Sequence, residues 1–213
     1  MSLHTRRYYT ESLSERYIIS HGILRCILGH YTEQAPEHVE FINNKYGKPY
    51  LKNSKIKFNM SHSHNMVCYI VTFNNEVGID IELWDSNLDV MELSKLVLTP
   101  KETILFNSLI FQERHLTFFN LWTKKEALIK ASGEGLSYPI NTIEALSAVL
   151  GDKVILTSID DYSKREFYGH ALEIIPNYSG AIASKIKIDE IVYVNAYNQS
   201  SVFDNIRSEC LHY

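Results

Sequence analysis

In "VGIDIELWD", residues 77–85, apolar Val77, Ile79 and Ile81 alternate with Gly78, Asp80 and Glu82. A two-residue period predicts a half-buried strand and puts both carboxylates on one face. Just upstream, "KIKFNMSHSHN" and "MVCYIVTF" have the β-branched and aromatic content of strands, and Asn74 with Asn75 predicts a hairpin turn into Val77. The Gly-Lys-Pro of residues 47–49 forces an earlier turn.

Elsewhere the period lengthens. "ESLSERYIISHGILRCILGHY" carries Tyr17, Ile18, Ile19, Ile23, Leu24, Ile27 and Leu28, an apolar set that suits a long helix packed on a sheet. "LDVMELSKLVL" and "TPKETILFNSLIF" predict two more helices. In the second, Thr99 and Glu102 suit a capping box and Pro100 the first helical position. A fourth helix is predicted at "FNLWTKKEALIKASGEGL", where Phe118, Leu121, Trp122, Leu128 and Ile129 fall on one apolar arc at 100° per residue. Past "GEGLSYP" come short strand candidates: "TIEALSAVL", "KVILTSI", "EFYGHALEII", "GAIASKIKI" and "EIVYVNAY". Long helix followed by antiparallel strands thus occurs twice without any residue-level repeat. This predicts two similar α+β lobes divided near residues 75–85, taken as 1–79 and 80–213.

Composition narrows the function classes. A chain of 213 residues, 45% hydrophobic and 22% charged, is large enough to bury a substantial core. A net charge of −4 gives no broad basic face for nucleic acid, so any phosphate site must be local. Cys26, Cys68 and Cys210 are widely spaced and form no CxxC pair, which speaks against a disulfide framework or a cysteine zinc site. No apolar h-region follows "MSLHTRRYYT", and the longest apolar run, "MVCYIV", is far too short for a bilayer. A cytoplasmic protein with no membrane partner is expected.

The candidate chemistry is concentrated in three places. Glu126 and Lys130 lie together at the edge of the apolar arc, either as an i,i+4 pair on a solvated face or as groups facing a cleft. Lys125 falls inside that arc, where a lysine must snorkel out or meet an anion. Asp80 and Glu82, on one face of a strand between isoleucines, repel each other and resist desolvation, so they are either a solvent-facing edge or a site for a hard cation such as Mg²⁺ or Mn²⁺. In "NMSHSH", His62 and His64 alternate along a strand without a third ligand at a telling spacing. The alternative to a structural role is donation to phosphate by His62, with Ser61 helping and Lys48 adding charge.

In chain order, "GKPY", "NMSHS", "VGIDIE" and "LWTKKEALIKASGEGL" closely resemble the motifs of the Sfp-type 4'-phosphopantetheinyl transferases of the holo-acyl-carrier-protein synthase superfamily. That family uses G-K-P, N-x-S-H-S, G-x-D-x-E and W-[ST]-x-K-E-[AS]-x-x-K, and all four patterns are met. The likeness runs from about Arg6 to Pro139 and includes "RRYYTESLSERYIISHGILR", similar to the family's first helix. It implies a pseudo-twofold α+β fold of two lobes, each a long helix on a small antiparallel sheet, with coenzyme A and a metal ion in the cleft between them. It also implies a reaction: a serine of an apo acyl or peptidyl carrier protein attacks the pantetheine-side phosphate of coenzyme A, and 3',5'-ADP leaves. Carried over by motif, Asp80, Glu82 and Glu126 would hold Mg²⁺, or Mn²⁺ in its place, with Glu126 also the base. Lys130 and Lys125 would meet the phosphates, and Ser61, His62, Lys48 and Arg16 would grip the 3'-phosphate or diphosphate.

Members of this type usually carry a further N-terminal strand and extra basic residues ahead of the segment that starts here at Arg6, His4 being an expected remnant. With both lobes in one chain, a monomer is expected. Residues 86–118, directly after the acidic strand, are the expected docking surface for an acidic carrier protein. Two rivals use the same residues: a non-catalytic coenzyme A or carrier-protein binder, and a Mg²⁺-dependent phosphohydrolase.

Overall fold

A computed structural model describes residues 11–146, 152–157, 162–172 and 175–194. The chain divides into two compact units, one drawn from the segments up to Val39 and from Ile188, the other formed by Glu40–Lys187.

In the first unit the predicted long helix is α1, Glu11–Thr32. Its end is shaped by Gly29, where a Cβ would lie 2.7 Å from the Gln34 carbonyl oxygen, so only glycine lets the chain turn back this closely. Arg25 then fastens the returning chain, its guanidinium donating to the carbonyls of Pro36 at 3.2 Å and Val39 at 2.5 Å. Leu24, Leu28 and Val39 are buried.

Among its described residues the second unit has two antiparallel pairs, a four-stranded antiparallel sheet and three α-helices. β1 (Phe41–Asn43) pairs with β2 (Pro49–Leu51), and β3 (Ile56–Ser63) pairs with β4 (Met66–Phe73). After β5 (Val77–Leu83) come α2 (Val90–Val97), α3 (Pro100–Ser108) and α4 (Phe111–Ser132), then β6 (Asp152–Thr157), β7 (Lys164–Ala171) and β8 (Tyr178–Ser184). The large sheet has the order β5-β8-β7-β6. The mixed α+β class read from the sequence is therefore the one the protein has. The predicted capping box is present as well: the Thr99 hydroxyl accepts from the Glu102 N–H, and the Glu102 carboxylate accepts from the Thr99 N–H.

Three expectations need correction. Asn74 and Asn75 do link β4 to β5, but the two strands form no hairpin ladder, because β5 pairs with β8. The Asn75 amide explains the choice: it exchanges two hydrogen bonds with the backbone of Ile186, just past β8. "TIEALSAVL" begins at the last residue of a 3-10 turn, Ile140–Thr142, and goes on through Ile143 and Ala145 buried as irregular chain; its residues 147–150 lie outside the described residues. In "EIVYVNAY", Glu190–Val194 are irregular, with Val192 and Tyr193 exposed, and residues 195–197 lie outside the described residues. His4 and the start of the family likeness at Arg6 lie outside them too.

α4 is the spine of this unit. Ala127, Leu128, Ile129 and Ala131 pack with Val154, Leu156, Phe167, Ala181 and Ala183 of the large sheet. Toward its N-terminus, Phe118, Phe119 and Leu121 form a second core with Val90, Val97, Leu98 and Phe106 of the α2–α3 region. Gly78 sets how close α4 comes to β5: a Cβ there would lie 2.2 Å from the Ala127 carbonyl oxygen and 2.4 Å from the Ala131 nitrogen. Any side chain at 78 would push the helix away.

Candidate active site

The close approach at Gly78 brings Lys130 of α4 to Asp80 of β5. The Lys130 ammonium lies 2.7 Å from Asp80 Oδ1 and 2.9 Å from the Ser61 hydroxyl of β3, and that hydroxyl donates to the same carboxylate oxygen at 2.9 Å. Asp80 is 4% exposed, and its second oxygen, Oδ2, is buried with no hydrogen-bond partner. Such an orphan is costly unless a ligand completes it. Burial, opposed by Lys130 and Ser61, raises the Asp80 carboxyl above the ordinary carboxylate range.

Two further carboxylates share this field. Glu82, two residues along the same face of β5, is raised by burial and by Asp80, against the hydrogen bond donated by the Ser63 hydroxyl at 2.7 Å. Glu126, one turn before Lys130 on α4, is raised by burial, then by Asp80 and Glu82, with Lys130 opposing. Three acids that feel one another and share one ammonium make a site short of positive charge. Among the described residues no three His, Cys, Asp or Glu side chains stand close enough together to hold a metal ion as they are placed, and Lys130 occupies one of the two Asp80 oxygens. The donor chemistry nonetheless fits a hard divalent ion: all-carboxylate oxygens, one of them unpartnered.

The Gly-Lys-Pro turn is anchored to the far end of α4. Asn44 accepts from the N–H groups of Tyr46 and Lys48, and its amide donates to the carbonyl of Gly133 at 2.7 Å. Gly133 ends α4 in the left-handed conformation, φ 75°. The Lys48 ammonium then donates to the carbonyls of Val77 at 3.0 Å and Ala131 at 3.2 Å, tying the start of β5 to the end of α4. Burial lowers its pKa, against Glu76. Lys48, Lys57, Arg165 and Lys185 line a cavity of about 430 Å³ that also takes in Glu76 and Gly133.

Within the second unit, Lys125 and His62 stand apart from this cluster. Lys125 does meet an anion, as its place in the apolar arc required, but the anion is Glu102 of α3, at 2.5 Å with both side chains fully buried. Its ammonium also donates to the carbonyl of Val97 at 2.6 Å. A phosphate role for Lys125 is therefore corrected: the charge is consumed inside the core. His62 is exposed, and strand alternation turns it to the face of β3 opposite Ser61 and Ser63. Arg16 is exposed on α1, within the first unit.

Ser63 is the residue the sequence reading missed. The available signal was a matched period of two, Asn59-x-Ser61-x-Ser63 facing Gly78-x-Asp80-x-Glu82.

The family model of the 4'-phosphopantetheinyl transferase superfamily matches residues 76–183, the stretch that carries β5, α4 and the large sheet. Among curated relatives, the chain is similar to the 4'-phosphopantetheinyl transferase HetI of Nostoc sp., 36% identical over 62% of this chain and 57% of that protein. It is 34% identical to the 4'-phosphopantetheinyl transferase gsp of Aneurinibacillus migulanus over 64% of this chain and 56% of that protein. The match to the 4'-phosphopantetheinyl transferase Sfp of Bacillus subtilis is longer and weaker, 26% identity over 84% of this chain and 78% of that protein. Against the first two, then, the match spans less than three fifths of the relative's length.

Proposed function

The chain belongs to the 4'-phosphopantetheinyl transferase superfamily, and on that premise we propose that it transfers the 4'-phosphopantetheine arm of coenzyme A to a serine of an apo acyl or peptidyl carrier protein, releasing 3',5'-ADP. The observation that carries the reading is Asp80, paired with Lys130 through one oxygen and left with Oδ2 buried and unpartnered, in the electrostatic field it shares with Glu82 and Glu126.

Asp80, Glu82 and Glu126 would hold the divalent cation, Mg²⁺ or Mn²⁺, which when bound neutralises charge on a diphosphate. The serine oxygen forms the new bond to the pantetheine-side phosphorus as the bond to the bridging oxygen breaks, and the electron pair leaves with 3',5'-ADP. Glu126 receives the serine proton, directly or through water, since a carboxylate beside a cation is held ionised and ready to accept it. Lys130, on a flexible stem and part-exposed, moves from Asp80 to the phosphate oxygens as the diphosphate enters. Ser61 keeps Asp80 oriented during that exchange. Lys48 and exposed His62 belong to the proposal as coenzyme A contacts. For the carrier, Leu96, Ile104, Ile110 and Phe111 give residues 86–118 an exposed apolar surface, with Lys95 and Lys101 exposed beside it.

The test is intact mass of a panel of apo carrier proteins after incubation with coenzyme A and Mg²⁺, with and without EDTA. A metal-dependent gain of one phosphopantetheine is the expected result. Coenzyme A binding without mass gain on any carrier would instead assign a non-catalytic binder, and release of 3',5'-ADP with free phosphopantetheine in the absence of a carrier would assign a hydrolase.

A further inference from the structure

β5 has two edges. One is hydrogen-bonded along its length to β8. The other is met by side chains of β3: Asn59 Oδ1 accepts from the Ile79 N–H at 2.9 Å, Ser61 Oγ from Ile81 at 3.3 Å and Ser63 Oγ from Leu83 at 3.0 Å. Side chains at every second position of β3 thus cap every second N–H of β5.

The three rungs differ in what else they do. Opposite Asn59 the preceding residue is Gly78, which has no side chain to hold, so that rung ties only the strand edge. The Ser61 hydroxyl also donates to Asp80 and accepts from Lys130. The Ser63 hydroxyl also donates to Glu82 Oε2 at 2.7 Å, while among the described residues no ion pair reaches Glu82. A serine hydroxyl has one proton and two acceptor lone pairs, so it can grip the carboxylate of one residue and the N–H of the next at once. For Glu82, half-buried and with three rotatable side-chain bonds, that grip removes rotamer freedom a ligand would otherwise have to freeze.

We propose that Ser63 is a positioning residue for Glu82, its hydroxyl presetting the carboxylate for a divalent cation by bridging it to the Leu83 N–H. The inference rests on the reading of Asp80, Glu82 and Glu126 as a cation site. It goes beyond that reading by separating the third rung, which aims a ligand, from the first, which only supports a strand.

The experiment is Mn²⁺ titration of the full chain at fixed coenzyme A, with free Mn²⁺ read by electron paramagnetic resonance, for wild type, Ser63→Ala, Ser63→Thr, Asn59→Ala and Glu82→Gln. Ser63→Ala should raise the Mn²⁺ Kd about tenfold, the size usual when a partner behind a metal ligand is lost. Ser63→Thr keeps the hydroxyl and should bind as wild type does. Asn59→Ala should lower Tm and leave the Kd unchanged. Wild-type affinity in Ser63→Ala, with Glu82→Gln weakened, would overturn the positioning role and leave the cation site standing. Equal weakening in Asn59→Ala and Ser63→Ala would reduce the effect to strand support. If Asn59→Ala does not fold, a Ser63→Thr variant as weak as Ser63→Ala overturns the role by itself. Undiminished binding in Glu82→Gln, or no Mn²⁺ uptake by wild type, overturns the cation site along with it.

Discussion

Lys125 and Lys130 stand five residues apart on one helix, and each meets a carboxylate, yet the two pairs are opposites. Lys125 and Glu102 are both 0% exposed; the Glu102 carboxylate also accepts from the N–H groups of Thr99 and Ala145, and Lys125 donates to the Val97 carbonyl. Every strong group there is matched. At the other pair Lys130 is 29% exposed, Asp80 keeps an unpartnered oxygen, and Glu82 and Glu126 feel the same ammonium. A saturated ion pair fixes helices in place; an unsaturated one at an opening can exchange partners. The difference lies in completeness of hydrogen bonding, not in the presence of charge.

Lys125→Met should strike stability hardest, costing roughly 3–5 kcal/mol in urea unfolding because Glu102 is left charged and buried. A loss under about 1 kcal/mol would mean that the core pair is not saturated after all. Lys130→Ala should lower kcat/KM for carrier modification by roughly a hundredfold, the scale of one lost charge-stabilising donor, with a far smaller stability loss than Lys125→Met. Unchanged kcat/KM would return Lys130 to the surface pair that its i,i+4 spacing also permits.

Gly78→Ala should destabilise by about 1–3 kcal/mol, since its new methyl meets helix backbone. It should weaken activity as well by moving Lys130 off Asp80, and a fully active, stable variant would contradict the close approach. The smallest effect concerns Glu126. Burial and its acidic neighbours raise the carboxyl's pKa, so the folded state holds that proton more tightly than the unfolded state and ionising it costs stability. With EDTA present, Glu126→Gln should therefore melt above wild type at pH values above that raised pKa. The gap should close as pH falls through it toward the ordinary carboxylate range. A gap that widens on acidification would reverse the assignment.

Local chemistry was readable along the chain, and long-range partnership was not. The Thr99–Glu102 cap, the shared face of the two β5 acids and the buried arc of α4 each follow from neighbours within a few residues, whereas the half-buried strand expected from the alternation of β5 is buried on both faces from Val77 to Ile81. The dilemma at Lys125 was also visible, but its resolution depended on Glu102 arriving from another helix, which no spacing encodes. Asn75 was rightly placed between two strands but not in a hairpin, since its amide directed β5 to a strand encoded about a hundred residues later. Ser63 escaped notice because its role exists only across two strands. The stripe of polar residues on β3 acquires meaning once it lies against the stripe on β5.

That late pairing has a consequence for synthesis. Asp80 sits opposite Ala181, so at roughly 5–20 residues per second the ribosome needs about 5–20 s after making β5 to deliver β8. Throughout that interval the strand bearing two acids has only the side chains of β3, already emerged, to cover one of its edges. On a nascent chain, Asn59, Ser61 and Ser63 would act as a temporary guard against mispairing before they serve the finished protein.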